Sequence, residues 1–311
     1  MSEITIAVPI YNGAETLESC VYSVLNQDIP VSIILFNDGS TDSTLDIIKK
    51  LSDSTDQVRY VNRDQSSGSA DYGIGECIEL CNTEFFSWIG CDDLYEPSAL
   101  SKMIKALRLC PNADYVYCDF QTFGDLSLAP RGYGRFKPCT KKSYLQHFHN
   151  TLLTQIPWNG VWRSSYLQSS EDPWKIYDGV GNRSDTINGL YHMSRGTKTI
   201  HLTEQLIHYN LRPSSGTHDI RGRVFTLPHK LKHYYKLVDI PSLLDLHNCE
   251  EYELISYAEK HCEFHIQKYI TNIQFSDVSA RDHYELTVFL KRLSSRELVE
   301  DTGLHRRIEN V

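Results

Sequence analysis

Ser32-Ile33-Ile34-Leu35-Phe36-Asn37-Asp38-Gly39-Ser40-Thr41-Asp42 is a short apolar run that stops on a turn and reopens on helix-starting residues. The β-branched and aromatic side chains bounded by Asn-Asp-Gly predict a buried strand. Ser40, Thr41 and Asp42 are good N-cap types, and Leu45 and Ile48 follow at helical spacing, so a helix begins directly after the turn. Toward the N-terminus, Ile4-Thr5-Ile6-Ala7-Val8 is a second β-rich run, ending at Pro9. Between the two runs Leu17, Cys20, Val21, Val24 and Leu25 repeat at i, i+3, i+4, i+7, i+8, a helix with one buried face. Toward the C-terminus the alternation continues with Val58 to Val61, a helix around Ile74 to Leu80, and the strand Phe85-Phe86-Ser87-Trp88-Ile89. Alternating strands and helices imply an α/β fold, a mostly parallel sheet with helices on both faces. Such sheets bind ligands at the carboxyl ends of their strands, here Pro9 to Asn12, Asn37 to Ser40 and Gly90 to Asp93.

Beyond Pro111 the pattern is looser. Tyr115 to Phe120 and Thr197 to Leu202 read as strands, and from about residue 222 the chain turns helical, with Leu254, Ala258, Cys262, Ile266 and Ile270 on one stripe. At 311 residues the chain is long enough for about two packed units. Its 41% hydrophobic and 23% charged residues exclude a disordered or coiled-coil chain. No apolar run approaches the roughly 20 residues that span a bilayer, and Met1-Ser2-Glu3 has no basic leader, so a cytoplasmic protein is expected. Nine scattered cysteines, an odd number, argue against a disulfide framework. Cys77 and Cys81, four apart on a helix, read as buried thiols. Residues 1–110 hold 17 acids against 7 bases, which argues against a general nucleic-acid binder. The stretch with Arg212, Arg221, Arg223, Lys230, Lys232 and Lys236 contains only Asp219 as an acid and still allows an anionic ligand.

Asp92-Asp93, directly after an apolar strand, is the sharpest chemical feature. Adjacent carboxylates repel unless water, a base or a cation neutralises them. Mg²⁺ or Mn²⁺ takes oxygens from one or two carboxylates and the rest from phosphate and water, which suits a nucleoside diphosphate. The competing reading is a helix start, with acids in the first turn before Glu96-Pro97. Two other strand ends add an aromatic face, in Pro9-Ile10-Tyr11-Asn12, and a carboxylate, in Asn37-Asp38-Gly39-Ser40-Thr41-Asp42.

These three loops together resemble the inverting glycosyltransferases of family two, whose strands end in Pro-x-Tyr-Asn, in Asp-Asp-Gly-Ser-x-Asp, and in an acidic run followed by Glu-Pro. Gly90-Cys91-Asp92-Asp93-Leu94-Tyr95-Glu96-Pro97 is similar to the last of these. Weaker counterparts follow in Trp158-Asn159-Gly160-Val161-Trp162-Arg163, in Ser184-Asp185 and in Tyr209-Asn210-Leu211-Arg212. The resemblance covers roughly residues 3–217. It implies a GT-A fold, Rossmann-like, with a nucleotide-sugar half at 1–110 and an acceptor half at 111–217; residues 218–311, which it does not cover, read from their helical periodicity as a C-terminal extension. It further implies that Pro9, Tyr11, Asn12, Asp38, Gly39, Asp92 and Arg212 bind the donor, with Tyr11 and Asp38 at the nucleobase and Asp92 at the ribose or sugar. Asp93 would hold Mn²⁺ or Mg²⁺, Asp185 would be the general base, and Trp158 and Trp162 would either stack on an acceptor sugar or pack internally.

Three departures stand out. Gly90 occupies a position where the family often has Asp, Ser184 replaces a Glu beside the base, and Ala70-Asp71-Tyr72-Gly73 lacks the Arg of the family's Ala-Arg-Asn segment. The expected reaction moves a sugar from a nucleoside-diphosphate donor, chiefly a UDP-sugar, to a hydroxyl acceptor, a saccharide or glycan precursor. The alternatives are transfer to a modified DNA base and a catalytically silent sugar-nucleotide-binding module.

Overall fold

A computed structural model describes residues 2–68, 70–125, 160–169 and 199–212. All of them belong to one of two compact units, that drawn from Met1–Lys141 and Gln155–Arg221. The elements are β1 (Ile4–Ile10), α1 (Leu17–Leu25), β2 (Val31–Asp38), α2 (Thr44–Ser54), β3 (Val58–Arg63), α3 (Ala70–Glu79), β4 (Phe85–Trp88), β5 (Leu94–Tyr95), α4 (Ala99–Leu109), β6 (Tyr115–Gly124), β7 (Val161–Arg163), α5 (Ser164–Ser169) and β8 (Thr199–Leu211). The strands form one sheet in the order β3-β2-β1-β4-β7-β6-β8-β5. Strands β1 to β4 are mutually parallel, whereas β7 runs antiparallel to β4 and β6, and β5 antiparallel to β8.

Helices cover both faces, as the alternation predicts. Leu17, Cys20, Val21 and Val24 of α1, Ile48 and Leu51 of α2, and Leu100, Met103, Ile104 and Leu107 of α4 are buried in one core with Ile4, Ile6, Val8, Ile33 and Leu35 of the sheet. On the other face α3 lies so close that a methyl group on Gly73 would stand 2.6 Å from the Phe36 ring. Among the described residues no helix is long and apolar enough to cross a membrane. Cys20, Cys77, Cys81 and Cys118 are buried free thiols.

Two strands outrun their sequence signals. β1 continues through Pro9 to Ile10. The carbonyls of Glu3 and Ala7 face β4, so Pro9 turns its missing N–H to the same side, where the β1–β4 ladder has already ended at Ala7 and Trp88. β8 extends to Leu211 through the polar Thr203-Glu204-Gln205, because the ladder with β6 shifts register around Asp119 and absorbs the irregularity. The helical stretches expected after residue 222 lie outside the described residues.

Candidate functional site

The parallel strands β1, β2 and β4 deliver their carboxyl ends to one edge of the sheet, and the loops that follow are tied to each other. Asn12, in the left-handed region at φ 53°, accepts the Thr41 N–H through Oδ1 at 2.8 Å and donates its own N–H to Ser40 Oγ at 2.9 Å. Gly13 N–H donates to the buried Thr44 Oγ1 at 2.9 Å, and Ala14 N–H to Asp42 Oδ2 at 3.2 Å. Tyr11 is thereby held with its ring about half exposed.

Asp38, at the end of β2, is buried, and protein donors engage both of its oxygens. Ser67 N–H lies 2.9 Å from each oxygen, Ser66 Oγ donates at 2.8 Å and Ser67 Oγ at 2.9 Å, and Arg63 Nε stands 3.5 Å away. Asp38 therefore fixes the loop after β3. Gly39 completes the arrangement: at φ +67° its absent Cβ would lie 2.5 Å from Ser66 N, so no side chain fits beneath that loop. The Arg63 guanidinium sits 4.1 Å over the Tyr72 ring, which places a cation beside the site although the segment at residue 70 lacks the expected one. Nothing in the sequence around Arg63 marks it.

Gly90-Cys91-Asp92-Asp93 forms a tight turn closed by Asp93 N–H donating to Gly90 O at 3.0 Å. Both carboxylates are then held by the far end of β8. Asn210 N–H donates to Asp93 Oδ1 at 2.9 Å, and Arg212 Nε to Asp92 Oδ2 at 3.0 Å. The remaining oxygens, Asp92 Oδ1 and Asp93 Oδ2, each lie 3.0 Å from the point that a Cβ on Gly90 would occupy, so they converge over the bare glycine. Asp93 is only 4% exposed. Burial first, and then the charge of Asp92, push its carboxyl well above the ordinary range, against the opposing pull of Asn210 N–H and Arg212. Burial and the same acids raise the neighbouring Cys91 thiol to about 12. Downstream of the turn, His208 of β8 hydrogen-bonds Glu96 and receives Gln121 Nε2 at 2.9 Å, which clamps the end of β5 to β8.

The donor set suits a hard divalent cation: two converging carboxylate oxygens in a site that carries excess negative charge. Among the described residues no group of three or more His, Cys, Asp or Glu side chains comes together, so phosphate or water oxygens would have to complete the shell.

One expectation is corrected. Trp162 has no exposed surface: its ring stacks 3.9 Å from Tyr115 and 6.1 Å from Trp88, and no face is left for an acceptor sugar. A strand between two neighbours buries its side chains on both faces of the sheet, which is why a tryptophan there packs. Arg163 beside it caps α4, donating through Nε to Ala113 O at 2.8 Å and through a terminal nitrogen to Leu107 O at 2.7 Å. Trp158 and Asp185 lie outside the described residues, as do Ser184 and the basic stretch past Arg212.

The model of the family described as "Glycosyl transferase family 2" matches residues 5–167. An uncharacterised glycosyltransferase of Rickettsia typhi is 34% identical over 122 residues, 38% of this chain and 36% of that protein. The chondroitin synthase of Pasteurella multocida is 29% identical over 132 residues, 42% of this chain and 14% of that protein. The chain thus matches well under half the length of these relatives. Among solved structures, S. aureus TarS 1–349 in complex with UDP-GlcNAc superposes with a TM-score of 0.61 at 14% identity, over 90% of this chain and 77% of that one. The mannosyltransferase PcManGT of Pyrobaculum calidifontis, in complex with GDP-Man and Mn²⁺, gives 0.52 at 13% identity over 99% and 85%. These likenesses show the fold to be the expected GT-A arrangement.

Proposed function

The chain belongs to glycosyltransferase family 2, and on that premise we propose that it transfers a sugar with inversion from a nucleoside-diphosphate sugar, a UDP-sugar by preference, to the hydroxyl of a saccharide acceptor. The observation that carries this reading is the convergence of Asp92 Oδ1 and Asp93 Oδ2 over Gly90, with Arg212 alongside. Asp93 would hold Mn²⁺ or Mg²⁺ with help from Asp92. When bound, such an ion offsets the charge that develops on a departing diphosphate. Tyr11 offers its half-exposed ring to the nucleobase beside the loop that Asp38 and Gly39 fix, and Arg212 offers a fork to phosphate oxygens. Asp185 is assigned the proton of the acceptor hydroxyl, and Trp158 an acceptor face. Residues 1–110 would serve the donor, 111–217 the acceptor, and 218–311 would form a helical extension.

The first test is a donor panel with Mn²⁺. UDP-, GDP-, CDP- and dTDP-sugars are incubated without acceptor and nucleotide release is followed, with release expected from UDP-sugars. No release and no metal-dependent binding with any donor would favour a silent binding module. A second test concerns Asp185→Asn. The proton moves in the transition state, so the variant should keep donor binding while kcat falls roughly 10² to 10⁴-fold. Near-normal turnover would move the base elsewhere, and a product of retained configuration would remove single displacement.

A further inference from the structure

Arg212 sits where the acidic pair needs a positive charge. Its Nε lies 3.0 Å from Asp92 Oδ2, with both side chains about four-fifths buried, at 20% and 18% exposure. Among the described residues Asp92 is its one hydrogen-bond partner. Asn210 N–H meanwhile occupies Asp93 Oδ1, so β8 takes one oxygen from each carboxylate and leaves one each. Two carboxylates and one guanidinium sum to a single negative charge. A divalent cation arriving alone would turn that into a net positive charge and would share Asp92 with a guanidinium that is already there, in a site where burial weakens screening. A cation arriving with a diphosphate brings its own anionic oxygens, and these also match the planar fork of an arginine.

We infer that Arg212 is the resident counter-ion of the acidic pair: it keeps a free divalent cation out, and it moves from Asp92 to the diphosphate when nucleotide and cation arrive together. The inference rests on the donor-site reading above and adds an order to it, since metal alone binds poorly and nucleotide opens the place. Arg212 is a binding residue in this scheme. No bond is made or broken by it.

The test separates two affinities that a merely structural arginine would move together. Mn²⁺ binding without nucleotide is followed by electron paramagnetic resonance, and UDP binding at saturating Mn²⁺ by calorimetry. Arg212→Gln should tighten free Mn²⁺ by about tenfold and weaken UDP by about tenfold or more. Arg212→Lys keeps the charge and loses the fork, so it should leave free Mn²⁺ binding near that of the wild type while still weakening UDP. If Arg212→Gln leaves free Mn²⁺ unchanged or weaker, the counter-ion role is overturned, and unchanged UDP affinity overturns the transfer to the diphosphate. Should Arg212→Gln fail to fold, Arg212→Lys still decides, because wild-type UDP affinity in that variant contradicts the inference. Absence of Mn²⁺-dependent UDP binding in the wild-type chain overturns the donor-site reading as well, whereas normal wild-type binding with an indifferent Arg212→Gln sinks this inference alone.

Discussion

Asp93 combines burial at 4% exposure, a second carboxylate next door and a single backbone N–H as its described hydrogen-bond donor. Burial and the Asp92 charge make the folded chain hold the Asp93 proton more tightly than the unfolded chain does. The sign follows by linkage: with its pKa raised on folding, ionised Asp93 works against the fold, so the metal-free chain loses stability as pH climbs from the ordinary carboxylate range through the raised value and recovers it on acidification. Asp93→Asn keeps an oxygen for Asn210 N–H and removes the charge. Without metal at neutral pH it should melt about 2–4 °C above the wild type, the shift expected of roughly 1 kcal/mol in a chain of this size. The gap should close toward pH 4, and saturating Mn²⁺ with UDP should reverse the order. Thermal melts in a chelator across that range decide the matter, and a wild type as stable as the variant at neutral pH would show that Asp93 is not under strain. Gly90 belongs to the same account. A side chain there would enter the space where the two free oxygens meet.

α4 shows how an element is anchored by residues far away in sequence. Its N-cap position, Ser98, is left-handed at φ 64° and makes no side-chain cap. The buried Gln27 takes over, accepting Leu100 N–H at 3.0 Å through Oε1 and donating Nε2 to Glu96 O at 2.8 Å. Gln27→Ala strands the Leu100 N–H and leaves Glu96 O with the Ala99 N–H alone, at 3.1 Å, and should cost about 1–3 kcal/mol, read as a lower urea midpoint with unchanged slope. A loss below about 0.5 kcal/mol, the range of an ordinary surface change, would mean that water replaces the amide. The helices α1 and α4 rest on long apolar stripes, and α1 was legible for that reason, since periodicity averages over several turns, whereas α2 was legible from the capping residues ahead of Leu45 and Ile48. The two-residue β5 carries no such pattern, and the polar middle of β8 hides its second half.

Across the whole molecule, the residues proposed for the donor were readable because they stand at strand ends or in the loops directly after them. Tyr11, Asp38 and the Asp92-Asp93 pair all announce themselves in that way. The donor on Asp93 does not, since it is a backbone N–H that any residue could supply, 117 positions downstream; Arg212 stands out in the sequence, but its pairing with Asp92, 120 positions away, does not. Stacking and packing could not be told apart for Trp162 in the sequence for a related reason, because a lone aromatic looks the same whether a strand buries it or a loop presents it. β8 lies in the sheet between β6 and β5, and the acidic turn and the strand that secures it are made far apart in time. At a synthesis rate of about 5–20 residues per second, Asp92 and Asp93 emerge several seconds or more before Asn210 and Arg212. Until β8 docks, the two acids are a repelling, water-facing pair on an open edge. The nascent chain can collapse around β1 to β4, but it cannot assemble this site before its last described strand has left the ribosome.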